Sequence, residues 1–120
     1  MNTFRDLLVW QEAHKLVLMI YRTTDAFPKS EQFGLTSQMR RAAVSVPANI
    51  VEGFKRLSFA EKARFYNIAE ASLEELKYFL ILSKDLEFAT ESLLFEQADT
   101  VGRLLHRFIQ STQRTAQVNP

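Results

Sequence analysis

The sequence predicts an all-α fold, an antiparallel up-down-up-down four-helix bundle, on three observations. Four stretches repeat apolar residues at alternating spacings of three and four, the period of a helix with one buried face. Only a few polar residues join successive stretches, which forces neighbouring helices to run antiparallel. The chain of 120 residues holds three glycines and three prolines, too few for the turns of a many-stranded sheet. At this length residues 1–120 form one domain able to bury a real core without staples.

The first helix spans about residues 6–26, where Trp10, Ala13, Val17, Ile20, Thr24 and Phe27 mark its seam. It ends at Phe27-Pro28-Lys29-Ser30, because the residue before a proline is pushed out of the α region. The second helix spans about 33–55, with Ser30 as a candidate N-cap and Gly34 loosening its first turn. Ser58-Phe59-Ala60-Glu61 has the form of a capping box and opens the third helix, about 59–86. Its seam is Tyr66, Ala69, Leu73, Leu76, Leu80 and Ser83, widened by Phe65, Ile68 and Phe79. The fourth spans about 91–113, with Leu94, Ala98, Val101, Leu105, Phe108 and Thr112 in register. Its acids (Glu91, Glu96, Asp99) come early and its bases (Arg103, Arg107, Arg114) late, which suits the helix dipole. Thr115 to Pro120 is expected to fray.

Composition excludes several classes. No cysteine means no disulfide and no thiolate metal site, in agreement with a reducing cytoplasm. No apolar run approaches a membrane span, and the opening MNTFRDLLVWQEAHK carries acids and no small-residue cleavage site, unlike a signal peptide. A net charge of +1 argues against coating nucleic acid by bulk electrostatics. The distribution is uneven, however. Residues 29–57 hold five bases and two acids, whereas 58–87 hold four and six.

That basic excess falls on the second helix. At 100° per residue, Gln38, Arg41, Ser45, Asn49, Glu52 and Arg56 form a polar stripe beside a seam of Leu35, Met39, Ala42, Val46, Ile50 and Gly53. Val44, Pro47 and Val51 extend the apolar arc beyond what one core contact requires, so this helix is expected to touch more than its own bundle. Pro47 removes a donor in mid-helix and crowds the carbonyl of Ala43, which predicts a kink.

Three blocks of sequence carry a family resemblance. They are Phe4-Arg5-Asp6-Leu7 with Val9-Trp10-Gln11 and Ala13; the sixteen residues from Gln38 to Gly53, QMRRAAVSVPANIVEG; and Phe65-Tyr66 with Ala71-Ser72-Leu73-Glu74-Glu75-Leu76. Together they resemble the bacterial four-helix-bundle family encoded in intervening sequences of 23S ribosomal RNA genes, over nearly the whole chain. The resemblance implies the up-down bundle and assembly into a homopentameric ring. It also implies a distant relationship to accessory proteins of diversity-generating retroelements, which bind nucleic acid and a reverse transcriptase. It implies no defined catalytic activity.

The residues agree with that silence on catalysis. Neither His14 nor His106 has a Glu three positions before it, so the di-iron pattern of bundles is missing. Two histidines without cysteine make a poor zinc site, and no P-loop, dinucleotide fingerprint or nucleophile elbow is present. Acids such as Glu52, Glu70, Glu74 and Glu75 read more simply as solvated faces and ion pairs.

The expectation is therefore a non-catalytic, cytoplasmic homo-oligomer without cofactor or metal that binds RNA or docks a nucleic-acid enzyme. A pure protein-interaction scaffold is the alternative. Arg40, Lys55, Arg56, Lys62 and Arg64 are the candidate phosphate contacts, with Arg103, Arg107 and Arg114 as outer candidates. Arg41, Ser45, Asn49 and Glu52, with Val44, Pro47 and Val51, form the structural stripe or subunit interface. Arg41, Asn49 and Glu52 are expected to meet acids of the third helix, such as Glu75, or a neighbouring subunit. Phe54, Phe59 and Phe88, near helix ends, are candidates for stacking on exposed bases.

Overall fold

A computed structural model describes residues 3–118. Four helices account for most of them: α1 (Leu8–Thr24), α2 (Leu35–Lys55), α3 (Phe59–Asp85) and α4 (Ser92–Val118). The bundle measures 51 × 24 × 22 Å. Each helix packs on its neighbour in sequence and α4 returns onto α1. Neither diagonal pair brings Cα atoms within 8 Å among the described residues.

Cross-helix contacts fix the directions. Met39 of α2 meets Ser83 of α3 at 3.3 Å, Ser45 meets Ser72 at 2.8 Å, and Gly53 lies against Tyr66. Rising numbers on α2 against falling numbers on α3 mean opposite directions. The same order holds between α3 and α4, where Lys77 reaches Asp99 at 3.7 Å and Tyr66 reaches Phe108 at 5.0 Å. Between α1 and α4, the Gln97 amide donates to the Glu12 carbonyl at 2.9 Å while Leu7 and Phe108 share a cleft. Arg40 reaches Thr24 as Trp10 shares a groove with Pro47, so α1 and α2 are also antiparallel.

The predicted seams of α2, α3 and α4 lie in the core, with Phe108 and Thr112 half-buried and Ile68 left 42% exposed. On α1 the buried face is Val9, Ala13, Leu16, Ile20 and Thr24, one position round from the expected Trp10 and Val17, which are half-buried. Ile20, Met39, Val46, Ile50, Ala69, Leu76, Leu80, Val101 and Leu105 are fully buried. Ser83 is buried too, and its hydroxyl donates to the Phe79 carbonyl one turn back at 2.8 Å. Thr24 does the same to Ile20. Among the described residues every buried side-chain polar atom has a partner, as a low-dielectric interior requires.

Helix ends depart from expectation in four places. Residue 6 does not open α1: Thr3 caps a short 3-10 turn at Phe4–Asp6, and Leu7 is extended before α1 begins. Ser30 does not cap α2. It lies in a second 3-10 turn, Lys29–Glu31, and Gly34 holds the cap position without a side chain to contribute. The cap is supplied by the Glu31 carboxylate, which accepts from the Leu35 amide at 3.1 Å. A Cβ on Gly34 would sit 2.9 Å from that oxygen, so the glycine makes room for the cap. Phe33 consequently stays outside the helix and is 91% exposed. Lastly, α4 runs on to Val118 where fraying was expected from Thr115; Asn119 and Pro120 lie outside the described residues.

The other two junctions follow known end motifs. The Ser58 hydroxyl accepts from the Glu61 amide at 3.2 Å and starts α3. Its end is a Schellman turn: the Phe88 amide donates to Ser83 O and the Glu87 amide to Lys84 O, each at 2.9 Å. Glu87 takes the left-handed position, φ 62°, with no glycine to relieve it. Phe88 then packs on Phe27 with ring centroids 5.2 Å apart, latching the α3–α4 turn to the α1–α2 turn.

The two helical glycines behave differently. A Cβ on Gly53 would lie 2.4 Å from Tyr66 Cε1, and that ring is backed by Phe108. On Gly102 it would meet Lys77 Nζ at 3.4 Å and Leu73 Cδ2 at 3.5 Å, ordinary contacts. Gly53→Ala is expected to destabilise the fold by about 1–3 kcal/mol through overpacking. Gly102→Ala should stabilise it by about 0.5–1 kcal/mol through helix propensity. Urea unfolding of both variants checks the contrast.

Candidate functional site

Lys62 and Tyr66 stand one turn apart on α3 and both address the end of α2. The Lys62 ammonium donates to the carbonyls of Gly53 at 3.2 Å and Phe54 at 2.8 Å at the C-terminus of α2, where Gly53 O also accepts from the Arg56 amide at 3.1 Å. It also lies 5.7 Å from the centre of the Phe54 ring. Burial pushes its pKa below the usual lysine value. Tyr66 fills the space over Gly53, and burial pushes its pKa up to about 12. These two side chains form one wall of a cleft of about 1150 Å³ between the start of α1, the α2–α3 turn and the last turns of α4.

Around this cleft the bundle has a basic pole. Residues 3–9, 50–66 and 104–118 make up this end and hold seven bases (Arg5, Lys55, Arg56, Lys62, Arg64, Arg107, Arg114) against three acids (Asp6, Glu52, Glu61). The opposite end, residues 17–45 and 74–98, holds six bases and eight acids. A net charge near zero therefore conceals a polar distribution along the long axis.

The candidate phosphate contacts divide. Lys55, Arg56 and Arg64 are exposed at the basic pole. Arg56 pairs with Glu52 at 3.1 Å and lies 4.6 Å over the Phe65 ring, which Arg64 approaches at 5.6 Å. Lys62 is at the same pole, half-buried in the cleft wall, with two of its three N–H donors capping α2. Arg40 is at the other end, and its guanidinium is engaged through Nε and Nη2. Nε donates to Thr24 Oγ1 at 2.9 Å, and Nη2 to Asp25 Oδ1 at 2.9 Å and to Tyr21 O at 3.3 Å. The guanidinium carbon also sits 4.5 Å over the Tyr21 ring. Arg40 is thus a clasp between α2 and the end of α1, placed away from the basic pole where the other candidate phosphate contacts lie.

The polar stripe of α2 faces α3, but through hydroxyls rather than carboxylates. Ser45 and Ser72 share a 2.8 Å hydrogen bond, and the Asn49 amide donates back to Ser45 O at 2.8 Å and Oγ at 3.0 Å. Glu52 is occupied by Arg56 on its own helix. Arg41 is exposed and makes no ion pair with Glu75 or another acid among the described residues. The small side chains along this face let α2 and α3 approach closely enough for two serine hydroxyls to meet directly.

The extended apolar arc is largely spent within the chain. Pro47 is buried and Val51 half-buried against α1. Val44 remains 41% exposed and, with Ala48, Trp10 and His14, borders a shallow groove between the two helices. Helix α2 is continuous through Pro47. His14 stacks on Trp10 at 5.1 Å.

A second groove, of about 630 Å³ between α3 and α4, contains Glu70, Glu74, Asp99, Arg103 and His106. Lys77 bridges Glu74 at 3.3 Å and Asp99 at 3.7 Å, so its charges answer one another. Among the aromatics, Phe54 and Phe59 line the cleft at the basic pole, whereas Phe88 is taken up by Phe27. Sequence reasoning missed the cleft itself. Its signal was present in Gly53 at the end of one seam and Tyr66 at the start of the next.

A comparison with protein-family models matches residues 5–107 to the 23S rRNA-intervening sequence protein family. The chain belongs to this family. The match takes in α1, α2, α3 and α4 as far as Arg107, and so includes the cleft wall formed by Lys62 and Tyr66. A comparison with curated proteins gives no match. No helix of this family member is long and apolar enough to cross a membrane among the described residues.

Tyr66 gives a pH test of this packing. The unfolded chain releases the phenol proton near pH 10 and the folded protein near 12, so between these values the folded state binds more protons. Stability then falls with rising pH, by about 2–3 kcal/mol across the window. Lys62, whose folded pKa is lowered, acts in the opposite direction as pH rises towards 10.5. Urea unfolding from pH 9 to about 12 should show that the difference between wild type and Tyr66→Phe closes or reverses in favour of the variant.

Proposed function

We propose that this family member is a non-catalytic, homo-oligomeric bundle that holds structured RNA at its basic pole in the cytoplasm. The single observation behind this reading is the concentration of seven bases against three acids at one end, with Lys55, Arg56 and Arg64 exposed and close together. A phosphate backbone binds such a surface through counterion release, and several copies side by side multiply a modest contact into useful avidity. The groove of Val44, Ala48 and Trp10 supports self-association through α1 and α2, in the homopentameric ring the family resemblance implies. An isologous dimer would offer two poles and a ring five, so assembly decides how many phosphates are met at once.

A protein-interaction scaffold is the second reading, supported by exposed Tyr78 and Ile81 on α3. Salt dependence separates the two. Affinity for structured RNA, measured by fluorescence anisotropy between about 50 and 200 mM salt, should fall linearly on logarithmic axes. Neutralising Lys55, Arg56 and Arg64 to Gln should lower the slope by about 0.7–0.9 for each phosphate no longer neutralised. Arg40→Gln should lower stability and leave the slope unchanged. Absence of RNA binding at the lowest salt refutes the reading.

Assembly has its own test. Val44→Asp places a charge in the α1–α2 groove at an exposed position, so helicity should be preserved while the mass from light scattering drops. An unchanged mass would remove this groove from the subunit interface.

A further inference from the structure

We infer that the cleft at the basic pole is a binding site for a small acid with an aliphatic body, of the medium-chain carboxylate class. This site is independent of the RNA reading.

Size and lining come first. The cleft, about 1150 Å³, is ample for a ligand of the kind held by pockets of about 300–1,000 Å³. Its lining is mainly aliphatic and aromatic, with Leu7, Leu104, Phe59 and Phe108 among its walls. At the rim, Leu57 is 97% and Leu8 57% exposed. Two large apolar side chains bordering one cleft are left facing water, and an aliphatic ligand would cover both at about 25 cal/mol per Å² of surface removed.

The polar groups specify the head. Lys62 and Arg107 are in the lining and no Asp or Glu is. Carbonyl oxygens meet the Lys62 ammonium, but no carboxylate neutralises it, and Arg107 forms no ion pair among the described residues. A partly desolvated cation without a counter-charge favours an anion beside it. The Tyr66 side chain is in the lining as well, and its hydroxyl, which is not sealed from solvent, has no hydrogen-bond partner among the described residues and is a donor at neutral pH. By contrast, Thr112 and Thr115 already donate to carbonyls one turn back. No Asn, Gln, His, Asp or Glu lines the cleft to read the edge of a nucleobase, which favours an aliphatic body over a nucleotide.

Dodecanoate below its micelle concentration is the probe, titrated into the full chain by calorimetry and by amide NMR. Saturable binding of one molecule per chain is expected, with dodecan-1-ol at least about tenfold weaker because it lacks the charged head. Arg107→Gln should weaken dodecanoate about tenfold and leave the alcohol unchanged. Ser111→Trp, which fills the cleft from an exposed position of α4, should abolish binding while circular dichroism and the thermal midpoint stay native. Equal affinity for the alcohol, displacement by adenosine 5′-phosphate, or retained binding in Ser111→Trp overturns the proposal. So does self-association that shuts the cleft and excludes dodecanoate. RNA binding that persists without dodecanoate binding, or the reverse, shows which of the two proposals has failed.

Discussion

The contact of Gly53 with Tyr66 organises this bundle. Only a hydrogen at residue 53 lets the Tyr66 ring lie this close to the backbone of α2, with the Phe108 ring of α4 at a centroid separation of 5.0 Å and 60° to it. Three helices are thereby joined through one aromatic ring. One turn earlier on α3, Lys62 caps the same end of α2 through the carbonyls of Gly53 and Phe54. The packing and the cap reinforce each other, since Lys62 reaches those carbonyls only when α2 and α3 are this close. Both side chains also line the cleft, so the device that closes one end of the bundle shapes the concavity there.

The rest of α2 follows from the same closeness. Along the face towards α3 it carries Ala42, Ser45, Val46, Asn49 and Gly53, with Ser72 opposite Ser45. Small groups permit the approach, and short hydrogen bonds satisfy the polar ones without a buried charge. The ions of this helix are displaced to its margins. Arg40 folds over Tyr21 to bind the end of α1, and Arg56 lies over Phe65 beside Glu52. Pro47 is accommodated within α2 and is buried beside the groove shared with Trp10 and Val17 of α1, so the loss of one amide donor is offset by buried apolar surface.

Charge is the property that linear sequence distorts most. Divided by segment, the positive excess falls on residues 29–57, but folding splits that segment between the two ends of the bundle. Arg40 and Arg41 go to one end, Lys55 and Arg56 to the other, where Arg5, Arg64, Arg107 and Arg114 join them from the remaining helices. The basic pole is a product of antiparallel topology, which gathers the first turns of α1 and α3 with the last turns of α2 and α4.

By itself the sequence determined the helical class, the four helices and nearly every core residue, because burial on one face imposes a three-four spacing that survives in the order of residues. The family, too, is legible in the block from Gln38 to Gly53. Side-chain partners across helices were decided only by the tertiary structure. Whether Arg40 meets a phosphate or Thr24, whether Ser45 meets a carboxylate or Ser72, and whether Glu31 or Ser30 caps α2 depend on interhelical distance and rotation. Periodicity assigns a residue to a face; it does not say how near the next helix comes. That distance is set by Gly53 against Tyr66, two residues thirteen positions apart that only the folded chain brings into contact.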